Sequence, residues 1–162
     1  MVVQQLLTPQ PKAKGFLTLE VLVAAALIAL TANLATVPSK AYLAQYQRLQ
    51  VRTAAHRLAA DLRSMQQKAL FGLTNTDSFH VSTNGEGYYI TTKEGNNTIS
   101  FATLGCDGVY FAQAISNPLR YTAIGAPSAT GSFVLKHRQN ANFSCSITIQ
   151  VASGRVDLNE NS

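Results

Sequence analysis

Positions 16–37 read FLTLEVLVAAALIALTANLATV, with a single charged side chain, Glu20, and no polar side chain at all over positions 21–30. A run of this length makes about 33 Å of helix, enough to cross a hydrocarbon core of about 30 Å. Pro38 follows and is expected to bend the helix, because it removes one backbone hydrogen bond. The pattern then becomes amphipathic. Val51, Ala55, Leu58, Leu62, Met65 and Ala69 recur at three- and four-residue spacing, with Arg48, Arg52, His56 and Arg63 in a neighbouring stripe. Gly72 is the expected C-terminal cap. The pattern thus predicts one helix continuing as a spine over 38–72, and the small Ala55 and Ala69 favour seating on a sheet over a soluble coiled coil.

From Thr74 the period falls to two. Phe79/Val81, Tyr88/Ile90, Ile99/Phe101, Val109/Phe111, Leu119/Tyr121, Phe133/Leu135 and Ile147/Ile149/Val151 alternate as strands do. Asn84-Gly85, Glu94-Gly95-Asn96-Asn97, Thr130-Gly131 and Ser153-Gly154 supply turns between them. The expected fold class is α+β: a long N-terminal helix, apolar in its first half and amphipathic in its second, packed on a mostly antiparallel β head over 73–162.

Composition narrows this picture. With 162 residues, 46% hydrophobic and 13% charged, the chain suits one ordinary domain and is not disordered throughout. Two cysteines exclude a disulfide-dense mini-protein and any Cys-rich zinc or iron–sulfur module. Lys12 and Lys14 stand just before the apolar run, which holds the N-terminus in the cytoplasm and exports the rest. A secretory signal cut near Ser39-Lys40-Ala41 and a plain anchor are both compatible with the run. Neither accounts for Glu20, since a carboxylate in a spanning helix is costly and is normally paired or functional.

The string Lys14-Gly15-Phe16-Leu17-Thr18-Leu19-Glu20-Val21, leading into an Ala/Leu-rich run, resembles the class III signal of type IV pilins and pseudopilins. The resemblance implies a leader over 1–15, cleavage by a prepilin peptidase between Gly15 and Phe16, and N-methylation of Phe16. It makes 16–37 the transmembrane and assembly helix and Glu20 the residue that sets register. One departure is visible: the threonine that most often follows the phenylalanine directly stands here at Thr18. More weakly, the extended helix, the Gly131-Ser132-Phe133 strand and a last hairpin SITIQVASGRVDL are similar to GspH/FimT-type minor pilins and competence pseudopilins. The implied function is that of a structural subunit of a type II secretion pseudopilus, competence pilus or type IV pilus, not an enzyme and without a cofactor. It would be single-pass in the inner membrane, with its head extracytoplasmic, before joining the filament. Implied partners are the peptidase, other pilins or pseudopilins and the assembly platform.

Little other chemistry is visible. Cys145 shares parity with Ile147 and Ile149 and should point inward. If Cys106 faces it outside the cytoplasm, a bridge closing about 40 residues contributes about 4 kcal/mol; otherwise both are buried thiols acting as small apolar residues. His56, His80 and His137 fall on separate elements without metal-ligand spacing. Asp77, Glu86, Asp107 and Asp157 read as solvated loop carboxylates. The net charge of +5 is not a basic head. Positions 16–72 set Lys40, Arg48, Arg52, Arg57, Arg63 and Lys68 against Glu20 and Asp61, whereas acids slightly outnumber bases over 73–162. Lys136, Arg138 and Arg155 are the candidate DNA contacts of an alternative reading, a DNA-uptake receptor of the same architecture. Some relatives of that kind use a basic last hairpin following a Gly-Arg step, and Asp157 after Gly154-Arg155-Val156 departs from it. Solvated strand edges are the simpler account of these cations.

Overall fold

Helix α1 (Phe16–Leu70) is followed by β1 (Ser78–Val81), β2 (Gly87–Thr92), β3 (Gly95–Ser100), a short 3-10 turn (Ala102–Leu104), β4 (Val109–Gln113), β5 (Gly131–His137), β6 (Asn140–Ile149) and β7 (Val156–Asn161). This computed structural model describes residues 16–73, 76–115, 118–150 and 153–161, the side chains of 16, 17 and 33–39 excepted. The expected leader with Gly15, the Phe16 and Pro38 side chains, and Val151 lie outside the described residues. The chain divides into two compact units, Met1–Tyr42 and Leu43–Ser162. The second unit, called the head below, therefore includes the helical spine.

In the first unit every described side chain from Thr18 to Ala32 is exposed. Among the described residues, no helix is long and apolar enough to cross a membrane.

The head is α+β. Strands β1-β2-β3 form one antiparallel meander and β4-β5-β6-β7 a second, each in sequence order. All six expected stripe residues of the spine are buried, joined by Ala54 and Ala59. Their small side chains let the helix approach the sheets closely. Phe79, Tyr88, Phe101, Phe111 and Phe133 bind the two sheets into one core, with Phe79 5.3 Å from Phe133 and Phe101 5.3 Å from Phe111 between ring centroids. Tyr88 reaches back to the helix, where its hydroxyl donates to Asp61 Oδ2 at 2.5 Å. Burial, reinforced by Asp61, pushes the Tyr88 phenol well above its ordinary range.

The basic stripe is a seam, with three of its members in contact with β6 or β7. The Arg48 guanidinium lies 5.7 Å from the Phe143 ring centroid. Arg52 donates to both carboxylate oxygens of Glu160 at 2.7 and 2.6 Å, and Arg63 donates to the Val156 carbonyl at 2.9 Å. His56 acts electrostatically on Glu160. Rising numbers on the helix meet falling numbers on β7, so the two run antiparallel.

Gly72 caps the helix as expected. It sits at φ +66°, its N–H donates to the Ala69 carbonyl and the Leu73 N–H to that of Lys68. Three other expectations need correction. Leu119/Tyr121 is not a strand: Leu119 makes a single bridge to Phe79 and Tyr121 one to Pro127. Prolines at 118 and 127 remove donors, and Gly125 at φ +76° turns the chain between. The seventh strand is β7, which the sequence suggested only as the return of a hairpin. Asn96 and Asn97 belong to β3, because Lys93-Glu94 alone make the turn, while Phe101 falls just past its end, buried at the entry to the 3-10 turn.

Candidate functional site

Glu20 is exposed on α1 beside an open groove lined by Leu19, Val23, Ala24 and Leu27. Its carboxylate thus stands on an apolar helix surface, as the spacing of the run required.

In the head, the spine enters with Leu43, Tyr46, Gln47 and Gln50. With Asp107, Gly108 and the β5–β6 turn they line a cleft of about 360 Å³. The cleft is built on satisfied polar groups. Gln47 Nε2 donates to Gln139 Oε1 at 2.9 Å and Gln50 Nε2 to the Gly105 carbonyl at 3.0 Å, and both glutamines are buried. His137, also buried, accepts from the Gln139 N–H through Nδ1 at 3.1 Å and meets the Asp107 carbonyl through Nε2 at 3.0 Å. Its ring therefore braces a turn, with both nitrogens engaged. Leu43 and Tyr46 remain about half exposed at the rim, at 51% and 46%. Sequence reasoning passed over Gln47 and Gln50. Their signal was polar side chains continuing the buried face, Gln47 one turn before Val51 and Gln50 one turn before Ala54.

The three candidate DNA contacts do not converge. Arg138, in the β5–β6 turn, pairs with Glu86. Arg155, in the β6–β7 turn, pairs with Asp157 at 2.7 Å, and Gln150 donates to the same carboxylate at 2.8 Å. These turns sit at opposite ends of β6, separated by about 30 Å of strand. Lys136 is half-buried in β5 opposite Ser144.

The bridge entertained for Cys106 and Cys145 is absent, since both are free, buried thiols. Each is held separately: Cys106 Sγ donates to the Leu104 carbonyl at 3.6 Å, while Cys145 sits mid-β6 between Leu135 and Glu160. The inward parity of Cys145 holds, with Ile147 and Ile149 buried beside it. Burial pushes the Cys145 thiol up to about 11 and raises that of Cys106 as well.

His56, His80 and His137 lie on different elements, with His80 stacked on Tyr89 at 4.7 Å. Among the described residues, no group of three or more His, Cys, Asp or Glu side chains could hold a metal ion. Asp77 departs from the expected solvated carboxylate, being buried just before β1. A second polar clamp closes the other end of the head. Gln66 Nε2 donates to the carbonyls of Gly125 at 3.1 Å and Ser153 at 2.8 Å.

Comparison of the chain with protein-family models, with curated proteins and with solved structures finds no match.

Proposed function

We propose that this chain is a minor pilin or pseudopilin, a structural subunit of a type IV filament-like assembly. On this reading a prepilin peptidase cuts between Gly15 and Phe16, the new terminus is methylated, and the apolar helix holds the subunit in the inner membrane until it enters the filament. Its head is extracytoplasmic. Its work is mechanical, with no turnover.

The observation that carries the reading is Glu20, the only charge in an apolar run, five residues into the expected mature chain. Helices packed side by side would enclose that carboxylate in an apolar bundle, a costly arrangement for a lone charge. The free ammonium of Phe16 on a neighbouring copy offsets the cost, and methylation preserves its charge. Only one axial offset between helices brings the two groups together, so the pair fixes register. The exposed apolar surface over 18–32 supports the same reading, because it has lipid or sister helices to meet and nothing to gain from water.

Mass spectrometry of the mature polypeptide tests it. The expected N-terminus is Phe16 carrying one methyl group, and Glu20→Ala should lose incorporation into filaments. A chain beginning at Tyr42, or retaining Met1, overturns the proposal. The DNA-receptor alternative receives less support from the geometry, since Arg138 and Arg155 each have a carboxylate partner and stand at opposite ends of β6.

A further inference from the structure

Leu70, Phe71 and Leu73 at the end of the spine, and Ile124 at the tip of the 120–128 turn, are 51–82% exposed. They form a knob that is held from behind. Leu70 lies against Gly125, so close that a Cβ added there would meet its Cδ2 at 2.9 Å. Gln66 ties the Gly125 carbonyl to that of Ser153 in the β6–β7 turn. The backbone of the knob is satisfied largely from within. The N–H groups of Phe71, Gly72 and Leu73 donate to the Gln67, Ala69 and Lys68 carbonyls. Those of Thr122 and Gly125 donate to the Ala126 and Thr122 carbonyls, and that of Ala126 to Thr122 Oγ1. Such a surface gives up few hydrogen bonds on leaving water, which is the condition for entering a lipid layer. Its uncompensated charge is positive. Lys68, one turn before Phe71, and Arg120, which alternates with the buried Tyr121, are exposed and have no acidic partner among the described residues. Other charges at this end offset one another or face inward: Arg155 pairs with Asp157, Lys93 and Glu94 share the β2–β3 turn, and Asp77 is buried.

We propose that this end of the head docks on an anionic phospholipid bilayer. Phe71, Leu73 and Ile124 enter the boundary between head groups and acyl chains, while Lys68 and Arg120 meet the phosphates. A convex apolar group requires a pocket of matching shape from a protein partner, whereas a lipid layer deforms around it. Nucleic acid fits the charge but not the knob, because leucine and isoleucine have no ring to stack on a base. About 40 Å of helix lies between Leu43, where the head begins, and the knob. The bilayer is therefore a second one, distinct from any that holds the apolar run. The proposal stands on the head alone and holds whether or not the chain joins a filament.

The test uses the full-length chain carried in phosphatidylcholine nanodiscs. An environment-sensitive fluorophore is placed on Ile124→Cys or, as the control at the other end of the head, on Tyr46→Cys; Cys106 and Cys145 are buried and stay unlabelled. Vesicles of phosphatidylcholine, alone or mixed with phosphatidylglycerol, are then added. The expected result is a blue shift at position 124 with the phosphatidylglycerol vesicles only, and none at position 46. Phe71→Ser with Leu73→Ser should weaken vesicle binding about tenfold or more, and Lys68→Glu with Arg120→Glu should do the same. All four positions are exposed, and thiols that stay unreactive towards iodoacetamide confirm that each variant is folded. No shift, an equal shift at both labelled positions, or binding that either pair of substitutions leaves unchanged overturns the proposal. An equal shift with pure phosphatidylcholine overturns it as well. A shift of the same size with duplex DNA alone overturns the assignment to lipid.

Discussion

Gly154 stands between the Gln66 amide and the Gly125 carbonyl, where an added Cβ would lie 2.7 Å from one and 2.3 Å from the other. It also holds φ +64°. Gly154→Ala therefore combines backbone strain with a collision against main-chain oxygen, and should cost about 2–3 kcal/mol. Gly72→Ala provides the contrast: φ is +66° but the space around it is open, so only the left-handed strain of about 1 kcal/mol applies. Denaturant midpoints of the two variants in detergent should rank in that order. The buried thiols carry a second prediction. With its folded pKa near 11, Cys145 contributes stability that is complete below the ordinary thiol range and fades as pH rises towards 11. At pH 8 neither cysteine should react with iodoacetamide in the folded chain, and both should react after denaturation without any reductant. Strand parity made the inward direction of Cys145 legible in sequence. Whether Cys106 met it was not, because parity gives the face of a strand and says nothing about which loop is folded over it.

Among the elements, the spine was the most legible, since a helix that seats one face on a sheet must repeat that face in its sequence. Its basic neighbour stripe could as well have been a solvated face. What turned Arg52 into a seam residue is Glu160, 108 positions away, which no local pattern connects to it. The hydrogen bonds and charge of Arg52 hold the Glu160 carboxyl below the ordinary carboxylate range. The linked stability is present above that range and lost as pH falls through the lowered value. NMR titration should find the Glu160 carboxyl low in the native chain and raised towards its ordinary value in Arg52→Ala, with salt narrowing the difference. Leu119/Tyr121 shows the opposite failure. Its alternation is that of a strand, but the prolines on either side deny it a ladder.

For the whole molecule, dividing the charge by region already weakened the case for a basic head, and the pairing of Arg138 and Arg155 goes further. Arg138→Ala together with Arg155→Ala should leave retention of the chain on a DNA column unchanged at every salt concentration; a tenfold loss would revive the receptor reading. The cleft was hidden from sequence because its walls come from the spine, Asp107 and the β5–β6 turn, which only folding assembles.

The seam between α1 and β7 also imposes an order of events. Its hydrogen bonds join residues 93 and 108 positions apart, so the spine is synthesised long before its cover exists. Until β7 is made, Arg52 and Arg63 wait without their strand, and the greasy face they flank stays open to chaperones and proteases. A translation product broken off before Val156 would never close that face. Synthesis of β7 thus becomes a licence for the seam to close, and chains terminated before it would be left open to clearance.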